Sequence, residues 1–242
     1  MRRNRFKPAM QTDARAKPAR LDNGADERRF RRLIWWSLLV AVLIALEYAS
    51  RAGGGTPERN VLYRYSTAAG SAAVYAVLLF VVLRIAGFRR DLLALRRPDS
   101  WRRALGLMVL LLIGIWIAVA ILDPLLHATR EQGLTPKGWE PSHAGAYAAN
   151  FLVIAGMAPV VEELTFRGLG FSLLVRFGVL PAILGAGLLF ALAHGLLQAL
   201  PELAIFGCAL SWLRWRTRSV YPGMLLHATF NGISLVAAVT VR

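Results

Sequence analysis

Glu162 and Glu163 stand side by side in a run of residues otherwise suited to the middle of a lipid bilayer, and Arg167 follows four positions after the second. An ionisable side chain at that depth costs roughly 2.5–3.5 kcal/mol on insertion scales, so it faces a bundle interior, finds a partner and marks function. Glu163 and Arg167 are neighbours on one helix face and can pair with each other. Glu162 points about 100° away around the same helix and is left to face something else. Two later apolar segments supply candidates: Phe190 with His194, and His227 with Asn231, each pair spaced four apart and so projecting from one side of a helix. A carboxylate among apolar helices can take a proton from water, an imidazole can hold and steer that water, and adjacent His and Asn side chains can donate to an oxygen gaining negative charge. A lone histidine on an apolar face is ordinarily a satisfied core residue; three polar groups on three apolar segments are not explained that way.

In order and approximate spacing, Glu162-Glu163-x-x-x-Arg167, Phe190-x-x-x-His194 and His227-x-x-x-Asn231 resemble the motifs of the CPBP (Abi) family of intramembrane endopeptidases, which includes the type II CAAX prenyl endopeptidases. The resemblance covers the chain from about residue 147 to the C-terminus; the part before it is similar only as generic membrane helices. It implies an endopeptidase in which Glu162 is the general base, His194 holds the water, and His227 and Asn231 receive the oxyanion. Glu163 and Arg167 would then orient Glu162, with Arg167 alternatively touching a substrate carboxylate or backbone, and Phe190 would be a wall of the cavity. The substrates it implies are membrane-associated proteins or peptides: prenylated C-termini in eukaryotic relatives, and leader peptides, bacteriocin-type precursors or sorting tails in bacterial ones. The Arg- and Ala-rich composition favours the second group and a bacterial cytoplasmic membrane.

The elements that must position these residues are membrane helices. Hydrophobic residues make up 56% of the 242-residue chain, the mean hydropathy is +0.48, and the apolar content is gathered in long blocks. The expected fold is all-α, a polytopic transmembrane bundle of about seven spans with a cytoplasmic N-terminus. Residues 1–32 read as a basic, disordered cytoplasmic tail able to meet anionic lipid headgroups, residues 33–145 as three membrane helices with their loops, and residues 146–242 as the core that carries the motifs. The spans fall near residues 33–48, 67–85, 104–122, 147–176, 180–200, 201–214 and 220–241. A fourth helix of minimal length would put Glu162 near the cytoplasmic edge and His194 on the other side, so that helix must be long, with a bend expected at Pro159 or Gly168. Arg89, Arg90, Arg96, Arg97, Arg102 and Arg103 place the loop after the second span inside, and the C-terminus outside.

The net charge of +15 would suggest nucleic acid on a soluble surface, but here it is concentrated in the tail and loops, where it sets orientation; no nucleic-acid partner is expected. Cys208 is alone, which excludes an internal disulfide, and reads as a buried, inert thiol. His127 and His143 lack the cysteines or carboxylates of a metal site. Two histidines and a glutamate (Glu162, His194, His227) could together hold a catalytic zinc, but Asn is a poor ligand and no HExxH pattern is present, so the reading taken is a site without cofactor, zinc being the alternative. Two other classes share these features: a proton-coupled carrier, which would lose flux on Glu162→Gln and cleave nothing, and a non-catalytic scaffold or immunity protein, which would tolerate that change.

Overall fold

The computed structural model describes residues 23–53, 60–132, 136 and 138–240. Among them there is no strand; seven long helices, one short one and a separate 3-10 turn (Val61–Tyr63) are joined by loops. They are α1 (Asn23–Ala52), α2 (Tyr65–Ala86), α3 (Trp101–Leu126), α4 (Ala128–Gln132), α5 (Pro141–Phe177), α6 (Val179–Leu192), α7 (Leu200–Thr217) and α8 (Tyr221–Thr240). By length and composition α1, α2, α3, α5 and α8 can each cross a membrane; α6, with 14 residues, is apolar but shorter, and α7 carries Glu202, Arg214 and Arg216. The protein is a multi-pass helical membrane bundle. Its outer faces are apolar: Leu105, Val109, Ile113, Ile117 and Ile121 are all exposed along α3, as a lipid-facing stripe requires.

The long helices alternate in direction, so the starts of α1, α3, α6 and α8 share one end with the finishes of α2, α5 and α7. Contacts between loops confirm this end: the Val220 N–H donates to the Ala94 carbonyl over 3.3 Å, and Arg96 Nε donates to the Arg218 carbonyl over 2.6 Å. At the opposite end the Tyr63 hydroxyl donates to the Gly138 carbonyl (2.6 Å), and Asn150 Nδ2 reaches the Leu62 carbonyl (3.0 Å).

Three expectations need correction. Residues 23–32 are helical, extending α1 beyond the apolar block, so disorder does not describe the end of the basic tail; residues 1–22 lie outside the described residues. Arg is a good helix former, and Asp26 in the first turn complements the helix dipole there. The fifth span stops at Leu192, not near residue 200: the chain turns at Ala193 and His194, and Gly195 takes a φ of 65°. Cys208, moreover, is only half-buried.

The long helix was legible, its interior less so. α5 runs 37 residues and widens twice into π-helical turns, at Leu152–Met157 just before Pro159 and at Leu164–Gly170 around Gly168. A π turn displaces carbonyls from the usual ladder and offers them to other donors. Both are used: Ile154 O accepts from Asn231 Nδ2 (2.9 Å), and Thr165 O accepts from the buried Trp36 Nε1 (2.9 Å). The α-helical turn between the two widenings, Ala158–Glu163, carries the acidic pair.

Candidate active site

A cavity of about 540 Å³ lies inside the bundle. Glu162, His194, His227, Asn231 and Phe190 all line it, so the four residues expected to do chemistry and the expected wall reach one space. Glu163 and Arg167 do not line it; both side chains are completely buried behind its floor.

The hidden pair is built first. Arg167 Nη1 donates to Glu163 Oε1 over 2.9 Å, one turn apart on α5. Its Nη2 donates to the Gly207 carbonyl on α7 over 2.8 Å, and its guanidinium lies 4.3 Å from the centre of the Phe190 ring on α6. One arginine thereby ties three helices together. Such an approach needs α6 and α7 almost in backbone contact, which Gly187 and Gly207 permit: a Cβ at Gly187 would fall 2.6 Å from the Cys208 nitrogen, and one at Gly207 would collide with the Gly187 carbonyl. On the other side, a Cβ at Gly223 would lie 2.6 Å from Glu163 Oε2, so α8 reaches the carboxylate only because that position is glycine.

His227 then bridges the two acids. Its Nδ1 faces Glu163 Oε1 at 3.3 Å and its Nε2 faces Glu162 Oε2 at 3.7 Å. Glu162 and Glu163 diverge around the helix, and the width of an imidazole ring spans the divergence. Glu163, held by Arg167, is an acceptor, so His227 Nδ1 carries a hydrogen and Nε2 is the nitrogen turned to Glu162. The other oxygen of Glu162 accepts a hydrogen bond from the Tyr75 hydroxyl of α2 over 2.6 Å, the short distance of a charge-assisted bond. Glu162 is 12% exposed, against 0% for Glu163, and the difference decides which carboxylate can meet water.

His194 Nδ1 lies 2.8 Å from the Phe190 carbonyl, which can only accept; the ring hydrogen is therefore on Nδ1, leaving Nε2 as a free acceptor. Its loop is pinned from outside. Glu131 of α4 accepts from the backbone N–H groups of Leu197 (2.8 Å), Gln198 (2.7 Å) and Ala199 (2.9 Å), capping the start of α7 with a carboxylate from another element. Asn231 spends one amide hydrogen on Ile154 and keeps a second.

Residues 144–233 match the model of the type II CAAX prenyl endopeptidase Rce1-like family. This agrees with the resemblance to the CPBP family carried by the three motifs, and the Rce1-like segment holds all seven of the residues singled out from the sequence, from Glu162 to Asn231. The match supports, in general terms, a CAAX-type intramembrane protease acting on membrane-associated protein or peptide. No curated protein and no solved structure matches the chain. Tyr75, Trp36 and Glu131 come from outside the Rce1-like segment, and sequence reasoning missed them. Tyr75 left one signal: it lies near the middle of an apolar helix, where a phenol needs a partner, instead of at an interface.

Among the described residues no three His, Cys, Asp or Glu side chains are spaced to hold a metal ion. The residues named for zinc do not fit it as placed: both nitrogens of His227 are directed at carboxylates, and one oxygen of Glu162 is taken by Tyr75.

Proposed function

We propose that this chain is an intramembrane endopeptidase that hydrolyses a peptide bond with a water activated by Glu162. The observation that carries the reading is the setting of Glu162: a carboxylate on a cavity wall, fixed through one oxygen by Tyr75 and facing His227 Nε2 with the other. A general base must be oriented and must have somewhere to pass its proton, and these two partners supply both.

Water sits between Glu162 and His194 Nε2, both as acceptors, with its oxygen lone pair directed at the scissile carbonyl carbon. As the C–O bond forms, Glu162 takes a water proton. The carbonyl oxygen gains charge and meets the remaining amide N–H of Asn231; donors of this kind are worth roughly 3–4 kcal/mol where they have been removed singly. The C–N bond then breaks as the proton passes from Glu162, directly or through His227 Nε2, to the leaving nitrogen. The products are a carboxylic acid and an amine: one proton of the added water has passed through Glu162 to the leaving nitrogen and the other stays on the acid. Glu163 and Arg167 act through His227: the buried carboxylate holds the ring in one tautomer and orientation, as the acid of a Ser-His-Asp triad does. No step here passes through a metal.

The experiment is a comparison of protein termini by mass spectrometry in cells carrying the wild-type chain or Glu162→Gln at equal abundance. New termini seen only with the wild type support the protease. Identical sets, with Glu162→Gln folded, would discard it for the scaffold or the carrier.

A further inference from the structure

The cavity has a direction. From its floor at Tyr75, Glu162 and His227 it runs to Leu62, Arg51 and Thr129, the last two exposed. From that floor, which sits near mid-depth, the lining extends toward the end where α1 and α3 finish: Thr67 and Ser71 in the first turns of α2, Glu202 and Leu203 in the first turn of α7, Ala238 near the last residue of α8. In the other direction it is sealed by Glu163, Thr165, Arg167, Leu169 and Leu213, all fully buried.

The two ends differ sharply in charge. The sealed end gathers Arg28, Arg29, Arg31 and Arg32 of α1, Arg84 and the α2–α3 loop with Arg89, Arg90, Arg96 and Arg97, and Arg214, Arg216 and Arg218 at the α7–α8 turn. These converge in space: Arg32 Nη2 packs against Gly87, and Arg96 bonds the Arg218 carbonyl. At the open end acidic and basic residues are mixed, with Asp123, Glu131, Glu140 and Glu202 beside Arg51 and Arg64. Excess arginine in short loops is retained on the cytoplasmic side.

We propose that the cavity opens on the non-cytoplasmic face, and that its substrate is the stretch of a membrane-anchored peptide that emerges there beside its anchor. This rests on the protease reading above and narrows it. The reacting groups lie well below the mouth, among Phe190, Phe206 and Phe230, so the scissile bond must descend into the bundle from that face. A prenylated tail presented from the cytoplasm meets the sealed, arginine-rich floor instead.

The test uses the full-length chain with Cys208→Ala as background and one new cysteine at a time, probed with a membrane-impermeant maleimide in spheroplasts and in sealed inverted vesicles. Thr129→Cys should label in spheroplasts and lose that labelling in inverted vesicles, and Arg97→Cys should do the reverse. In the same strains, the termini that depend on Glu162 should map to residues on the non-cytoplasmic side of their anchors. The opposite labelling pattern overturns the orientation. External labelling at Thr129→Cys with Glu162-dependent termini on the cytoplasmic side overturns the substrate assignment. External labelling with no such termini keeps the orientation and removes the protease reading beneath it, which separates the two failures.

Discussion

The Tyr75 hydroxyl donates to Glu162 Oε1 over 2.6 Å, joining α2 to the acidic turn of α5. Removing that hydroxyl leaves the ring, so Tyr75→Phe should fold as the wild type does. A hydrogen bond to a charged group is worth about 1.5–3 kcal/mol, which converts to a rate loss of about 10- to 100-fold if it is felt in the transition state. The rate at which Glu162-dependent termini appear should fall by that factor while the unfolding temperature in detergent stays within a few degrees. An unchanged rate would show that Tyr75 only satisfies a buried carboxylate.

Arg167 and Glu163 are wholly buried, and each is the other's charge partner. Breaking such a pair from one side costs about 3–5 kcal/mol because the remaining charge is stranded, whereas replacing both is far milder. Arg167→Met and Glu163→Gln should therefore each lower thermal stability sharply, and the double variant should regain much of the loss. Activity should not return with it, since His227 Nδ1 keeps no carboxylate to orient it. Recovery of activity in the double variant would assign the pair to stability alone.

The sequence carried the helices and the residues that meet in one cavity, for reasons visible in single residues. Long apolar blocks can only be membrane helices, and the spacing of Glu163 with Arg167 and of His227 with Asn231 puts each pair on a common face. The demand that Glu162 and His194 meet required a long α5 before any coordinates did. Spacing along one helix says nothing about depth between helices, however. It put His227 and Asn231 on one face without naming their neighbours: in three dimensions the His227 ring lies between Glu162 and Glu163, and one Asn231 amide hydrogen goes to Ile154. The end of α6 was missed because Ala193 and Leu196 look as helical as what precedes them; what stops the helix is the Gly195 turn and the distant Glu131 cap.

That cap makes its own prediction. Glu131 accepts three backbone N–H groups at the start of α7, and the loop it secures also carries His194. Glu131→Gln keeps size and one acceptor but loses the charge that suits a helix N-terminus, an effect of about 0.3–1 kcal/mol at an exposed site. Glu131→Ala loses the acceptors as well and leaves the amides to water. Cleavage should decline in the order wild type, Glu131→Gln, Glu131→Ala, and backbone amides 197–199 should exchange hydrogen faster in the same order. Equal exchange in all three would mean that the cap does not hold the loop.

Asn231 separates strut from catalyst most directly. Its amide bonds the Ile154 carbonyl freed by the first π turn, and loss of one neutral hydrogen bond costs about 0.5–1.5 kcal/mol of stability. Loss of an oxyanion donor costs far more in rate, about 10²- to 10³-fold. Asn231→Ala should therefore lower the unfolding midpoint modestly while nearly abolishing Glu162-dependent cleavage. Asn231→Asp sharpens the comparison, because it has the right shape but no hydrogen to donate when ionised and sets a carboxylate against the Ile154 carbonyl. It should be no more active than the alanine variant despite its better fit. If Asn231→Ala instead loses activity only in step with its folded fraction, the amide serves the helix pair alone, and the charge on the carbonyl oxygen must be met by another donor lining the cavity.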